Sequence, residues 1–80
     1  MKDSTKQTID DYVSDGLPPG GFVTSVLEND LMGAFGRADT QNRRDLYEIC
    51  NYVYNEIPAN SHGSPEKVSA WLKDHQEVQR

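Results

Sequence analysis

Apolar residues recur along this chain at helical spacing, in short blocks separated by turn-forming residues. In the first block Ile9, Tyr12 and Val13 lie at i, i+3 and i+4, which predicts an amphipathic helix over residues 5–15. Ser4 and Gln7 have capping-box spacing at its start, and Gly16 stands where a C-terminal cap glycine belongs. The Leu17-Pro18-Pro19-Gly20-Gly21 connector follows. Pro18 pushes Leu17 out of the helical region, and Pro19 suits the first position of the next helix. Phe22, Val23, Val26 and Leu27 then form one apolar face, and Leu31, Ala34, Phe35 and Ala38 form another. On one continuous helix, at about 100° per residue, the second set would sit roughly 100° from the first. Two helices are therefore predicted, with Asn29 ending one and Asp30 capping the other. Gly33 and Gly36 weaken the second helix and are expected to let a neighbouring backbone approach.

The longest predicted helix runs from Asp39 or Thr40 to about Glu56. Leu46, Ile49, Cys50, Val53 and Ile57 form its buried stripe, with Tyr47 and Tyr54 along one edge. Pro58 stops it, residues 59–63 form a loop, and Ser64-Pro65-Glu66 opens a last helix carrying Val68, Trp71 and Leu72. No alternating strand-type run and no repeat interrupts this pattern. The predicted fold class is all-α: a compact bundle of four to five short helices. It forms a single domain over residues 1–80, with frayed ends near 1–4 and 77–80. Phe22, Leu27, Leu31, Phe35, Leu46, Ile49, Val53 and Trp71 are expected to be mostly buried.

The chain is 35% apolar and 26% charged, polar for a folded domain, but the clustering of its apolar residues argues for folding. A chain of 80 residues builds a thin core, which argues against an enclosed active site. A net charge of −5 argues against nonspecific nucleic-acid binding, which draws its affinity from basic side chains on phosphates. Cys50 is the single cysteine, so no internal disulfide and no thiolate metal cluster can form. No apolar run has the length of a membrane span and no signal-peptide core follows Met1, so a cytoplasmic protein is expected.

Few residues have the spacing of a chemical site. His62 and His75 have no ligand partner in a metal-binding arrangement, and Cys50 reads as a core residue. Asp10-Asp11 reads as a solvated helix face, and Asp30 has a capping role beside Glu28. The Pro-Pro-Gly-Gly turn lacks the lysine and hydroxyl residue of a phosphate-binding loop. No catalytic residue, metal or cofactor is expected. The binding candidates are Arg37, Arg43 and Arg44, set around Asp39 and Asn42 at a helix start that favours anions. Against that reading, Arg37 and Asp39 pair to fasten the interhelix corner, with Arg43 and Arg44 solvated. Tyr52 projects from the long helix away from the core stripe, near Glu48, Asn55 and Glu56, as an aromatic at a protein contact does.

Leu17 to Leu72 resembles small uncharacterised proteins encoded by phages and prophage regions. The matching segments are Pro19-Gly20-Gly21-Phe22, Val26-Leu27-Glu28-Asn29-Asp30-Leu31, Arg37-Ala38-Asp39, Asn42 and Tyr54-Asn55-Glu56-Ile57-Pro58. The last is Gly63-Ser64-Pro65-Glu66-Lys67-Val68-Ser69-Ala70-Trp71. His62 departs from the tryptophan that often precedes the Gly-Ser-Pro in those proteins. The resemblance implies a phage context in a bacterial host cell and brings no activity or catalytic residues. The leading expectation is a noncatalytic accessory protein that binds and modulates a host or phage protein. The alternatives are a binder of a small anionic ligand such as a nucleotide messenger, and a small DNA-binding regulator. Homo-oligomerisation is compatible with all of these.

Overall fold

In the computed structural model, which describes residues 1–78, helix α1 (Asp3–Asp15) begins two residues earlier than its capping-box spacing suggests. Its N-cap is Lys2, and Ser4 lies inside the first turn, its carbonyl accepting from the Thr8 hydroxyl at 2.9 Å. Tertiary ties explain the extension. The Lys2 ammonium meets Asp39 at 2.7 Å, and the Thr5 hydroxyl donates to Asn42 Oδ1 at 2.9 Å. The Met1 amine pairs with Glu48, and with Asp45 at 3.7 Å. Residues 1–4 are thus anchored rather than frayed. At the other end the last helix continues to Val78, and Gln79 and Arg80 lie outside the described residues.

Helix α1 ends at Gly16, whose φ of 66° turns its amide onto the Tyr12 carbonyl at 3.0 Å. Pro19 lies outside helix α2 (Gly21–Leu27), whose N-cap is Gly20 with φ 84°. That chain reversal, open to a residue without Cβ, delays the helix by two residues relative to the proline signal. The predicted break at Asn29-Asp30 is present. Asn29 takes a φ of 65°, the Asp30 amide donates to Ser25 at 2.8 Å, and Asp30 Oδ1 caps the Gly33 amide at 3.0 Å. Helix α3 (Leu31–Arg37) then folds back against α2.

The predicted long helix is two: α4 (Thr40–Arg44), capped by Asp39 on the Asn42 amide at 2.7 Å, and α5 (Leu46–Glu56). At Asp45 the backbone opens to φ −91° and ψ 6°. The hydrogen-bond ladder nevertheless continues, with the Asp45 amide on Gln41 at 3.0 Å and the Ile49 amide on Asp45 at 2.9 Å. The sequence carries no breaker there. Pro58 ends α5 as expected, and a 3-10 turn (Ala59–Ser61) leads to α6 (Pro65–Val78), whose first turn is capped by Ser64 on the Lys67 amide at 3.2 Å.

One core joins these helices. Ile9, Tyr12, Val23, Val26, Leu27, Ala34, Ile49, Val53, Ile57 and Val68 form it, with Phe22, Leu46, Cys50, Trp71 and Leu72 packed at its edge. Among the described residues the protein is all-α and has no strand. No helix of the described residues is long and apolar enough to cross a membrane.

The core expectation fails at Leu31 and Phe35, which are 51% and 52% exposed. Helix α3 packs inward through Ala34, and Ala38 is buried just beyond it. These small side chains set the buried centre of the stripe, leaving the large ones at i−3 and i+1 from Ala34 on its flank. Gly36 faces open space, and Gly33 leaves room for the Asp30 carboxylate and the Arg37 guanidinium rather than for a neighbouring backbone.

Candidate functional site

The six residues singled out from the sequence do not form one site. Asp39 caps α4 and accepts from Lys2; that hydrogen bond and the Asn42 amide hold its carboxyl below the usual range. Asn42 fastens α4 to α1 through Thr5. Arg37 does not pair with Asp39: its guanidinium reaches across to α2 and donates to Ser25 Oγ at 3.1 Å. The Arg43 guanidinium lies 5.3 Å from the Phe35 ring centroid and donates to the Ala38 carbonyl at 3.2 Å. The Arg44 side chain makes no ion pair or hydrogen bond among the described residues. Arg37 and Arg43 therefore share no acceptor, and the five-residue α4 has its Asn42 amide already occupied by Asp39.

Tyr52 is half-buried rather than an exposed contact residue. Its angular position away from the core stripe is as expected, but α1 covers that side. The Tyr52 hydroxyl donates to Asp10, and Lys6 sits 5.3 Å over the ring while pairing with Asp10 at 3.0 Å. The hydrogen bond from Tyr52 is the main cause that holds the Asp10 carboxyl low, and the same bond pushes the phenol up. Tyr52 is a tie between α1 and α5, beside a shallow depression shared with Met1, Glu48, Asn51, Asn55 and Glu56.

The residues that do converge lie on the other side of α5. Arg43, Tyr47, Cys50 and Tyr54 follow at i, i+4, i+7 and i+11, one stripe along α4 and α5. Tyr47 is 84% exposed and Tyr54 74% exposed. From α3, Leu31 shares a concavity with Cys50 and Tyr54, Phe35 lies against Arg43, and Met32 is exposed. The concavity, of about 250 Å³, is lined by Val26 of α2, Asn29, Leu31 at the start of α3, Cys50, Val53 and Tyr54 of α5, and His62 and Gly63 of the loop before α6. The Gly63 amide, donating to the Leu27 carbonyl at 2.7 Å, holds its rim to the core.

Burial pushes the Cys50 thiol above its ordinary value, which disfavours the nucleophilic thiolate. Among the described residues no group of three or more His, Cys, Asp and Glu could hold a metal ion. The sequence had one signal for this face. Tyr47 and Tyr54 were already legible as the edge of the α5 stripe.

His62 lines the concavity, and burial, with the charge of Lys67 as a lesser cause, lowers its pKa. The unfolded chain therefore binds the His62 proton more readily than the folded one, starting near the ordinary value of about 6.5. Stability is expected to fall as pH drops through that value towards the lower folded pKa, and to recover above it. Urea midpoints compared for wild type and His62→Gln on both sides of this window measure the effect, which the substitution should flatten.

No protein-family model, curated protein or solved structure matches this chain.

Proposed function

We propose that this is a noncatalytic accessory protein of the phage type, which binds a host or phage protein and modulates it through the α3–α5 face. One observation carries the reading: Leu31, Met32 and Phe35 on α3 and Tyr47 and Tyr54 on α5 are half to more than four-fifths exposed, with Leu31 and Tyr54 lining one concavity, on a chain that has few large apolar residues. Single exposed apolar side chains are ordinary, but adjoining ones rimmed by polar groups mark an interaction surface. Two tyrosines among them suit a protein contact, where aromatic residues are enriched. The sequence resemblance supports the phage setting. The anionic-ligand reading is weaker, because Arg37 and Arg43 are committed to different partners. The DNA-binding reading needs a basic helix face, and the one arginine of α3 is turned onto Ser25.

The double variant Met32→Ser/Tyr47→Ser tests this. Both side chains are more than four-fifths exposed, so stability should change by no more than about 0.5 kcal/mol per site. Capture of the partner recovered by the wild-type protein from infected host cells should fall at least about tenfold, the equivalent of about 1.4 kcal/mol. Unchanged capture with an intact fold contradicts the proposal.

A further inference from the structure

We infer that the α3–α5 face takes an acidic amphipathic segment of its partner, a short helix with apolar anchors and carboxylates on either side. The inference rests on the reading of this face as a protein-binding surface and adds the chemistry of what it binds.

The distribution of ion pairs points to it. Those among the described residues involve the Met1 amine, Lys2 and Lys6, all on or just before α1. Among the described residues Arg43, Arg44 and Lys67 have no carboxylate within ion-pair distance, although the chain as a whole carries a net charge of −5. These three surround the apolar face. Arg43 lies against Phe35 at one end. Arg44, three residues before Tyr47, flanks it on the outer edge. Lys67 closes the opposite end, its ammonium 3.6 Å from where a Cβ on Gly63 would stand. The nearest acid along α3 is Asp30, whose carboxylate is turned back to cap the Gly33 amide. Arg37, turned onto Ser25, and Lys73 on α6 also lack an ion pair among the described residues, but the three that border the exposed apolar residues present a surface complementary to apolar side chains flanked by carboxylates.

The dimensions agree with a helix. From Tyr47 to Tyr54 the stripe spans about 10 Å at about 1.5 Å per residue, two turns of an incoming helix with anchors at i, i+3 or i+4, and i+7. The anchors would enter between Leu31 and Tyr54, above Val53. A guanidinium such as that of Arg44 can hold a carboxylate through two parallel hydrogen bonds. A second copy of this chain fits less well. In a two-fold pairing the face meets itself, so the same basic rims confront each other between two acidic bodies.

Two synthetic helical peptides of equal length test this. Both carry the same leucine and phenylalanine anchors; one has glutamate at every polar position and the other lysine. Binding is followed by fluorescence anisotropy and by amide NMR shifts. The glutamate peptide should bind saturably, shift amides of α3 and α5, and weaken as salt is raised. The Arg44→Glu/Lys67→Glu variant, which removes no ion pair or side-chain hydrogen bond among the described residues, should bind it at least about tenfold more weakly. Equal or tighter binding of the lysine peptide at this face overturns the acidic assignment and leaves the binding surface standing. Shifts at the face from neither peptide overturn both. A dimer in sedimentation of the protein alone, with shifts at the same amides on dilution, assigns the face to a second copy and also overturns the inference.

Discussion

Tyr12→Ala is expected to bring the protein close to unfolding at room temperature. Tyr12 is fully buried and joins three parts of the chain. Its hydroxyl donates to the Ser61 carbonyl at 2.6 Å, its own carbonyl accepts from Trp71 Nε1 at 3.1 Å, and its ring lies 6.4 Å from that of Trp71. Truncating a buried aromatic costs about 3–5 kcal/mol. Domains hold only about 5–15 kcal/mol in total, and a chain of this length belongs at the low end. Tyr12→Phe separates the two contributions. It keeps the ring and orphans the Ser61 carbonyl, for a loss of about 1–3 kcal/mol. Burial pushes the phenol up to about 12, so the hydroxyl remains a donor across ordinary pH. Urea denaturation of both variants measures the pair, and a Tyr12→Ala midpoint near that of the wild type would refute this role.

Gly16→Ala should be the next most damaging change, at about 2–4 kcal/mol, combining left-handed backbone strain with overpacking. Gly16 has φ 66°, and a Cβ there would fall 2.2 Å from the Cβ of His75. That atom is fixed to the backbone of α6 and cannot swing aside. His75→Ala, which keeps its Cβ, should therefore fail to rescue Gly16→Ala, whereas a clash with the imidazole alone would be relieved. Thermal melts of the single and double variants decide between these.

Most of the helix punctuation was legible because it is written in residues with one strong local preference. Gly16, Asn29, Asp30, Asp39, Pro58 and Ser64 each act within three or four residues of themselves, and the structure uses each where expected. The misreadings arise where tertiary contacts decide. Lys2, Thr5 and the Met1 amine extend and anchor α1 through partners on α4 and α5 and at the Asp45 join between them, which no local pattern encodes. Periodicity groups Leu31 and Phe35 with Ala34 and Ala38, but it does not say which edge of the stripe the next helix covers. Tyr52 shows the same limit in reverse: it projects away from the core stripe and is covered by α1, through Asp10 and Lys6. The candidate surface consequently moved from Tyr52 and the arginines as a group to Leu31, Phe35, Tyr47 and Tyr54. Of the arginines, Arg43 lies against Phe35 of this surface, and Arg44 precedes Tyr47 by three residues.

The most direct test of that surface is photo-crosslinking in living cells that produce the protein. A benzophenone amino acid is placed singly at Met32, at Tyr47, or at Gln7, which is exposed on α1 and away from the apolar face. Adducts to one and the same protein from positions 32 and 47, with none from position 7, are the predicted result. Adducts from position 7 with none from positions 32 and 47 would contradict the assignment of the α3–α5 face.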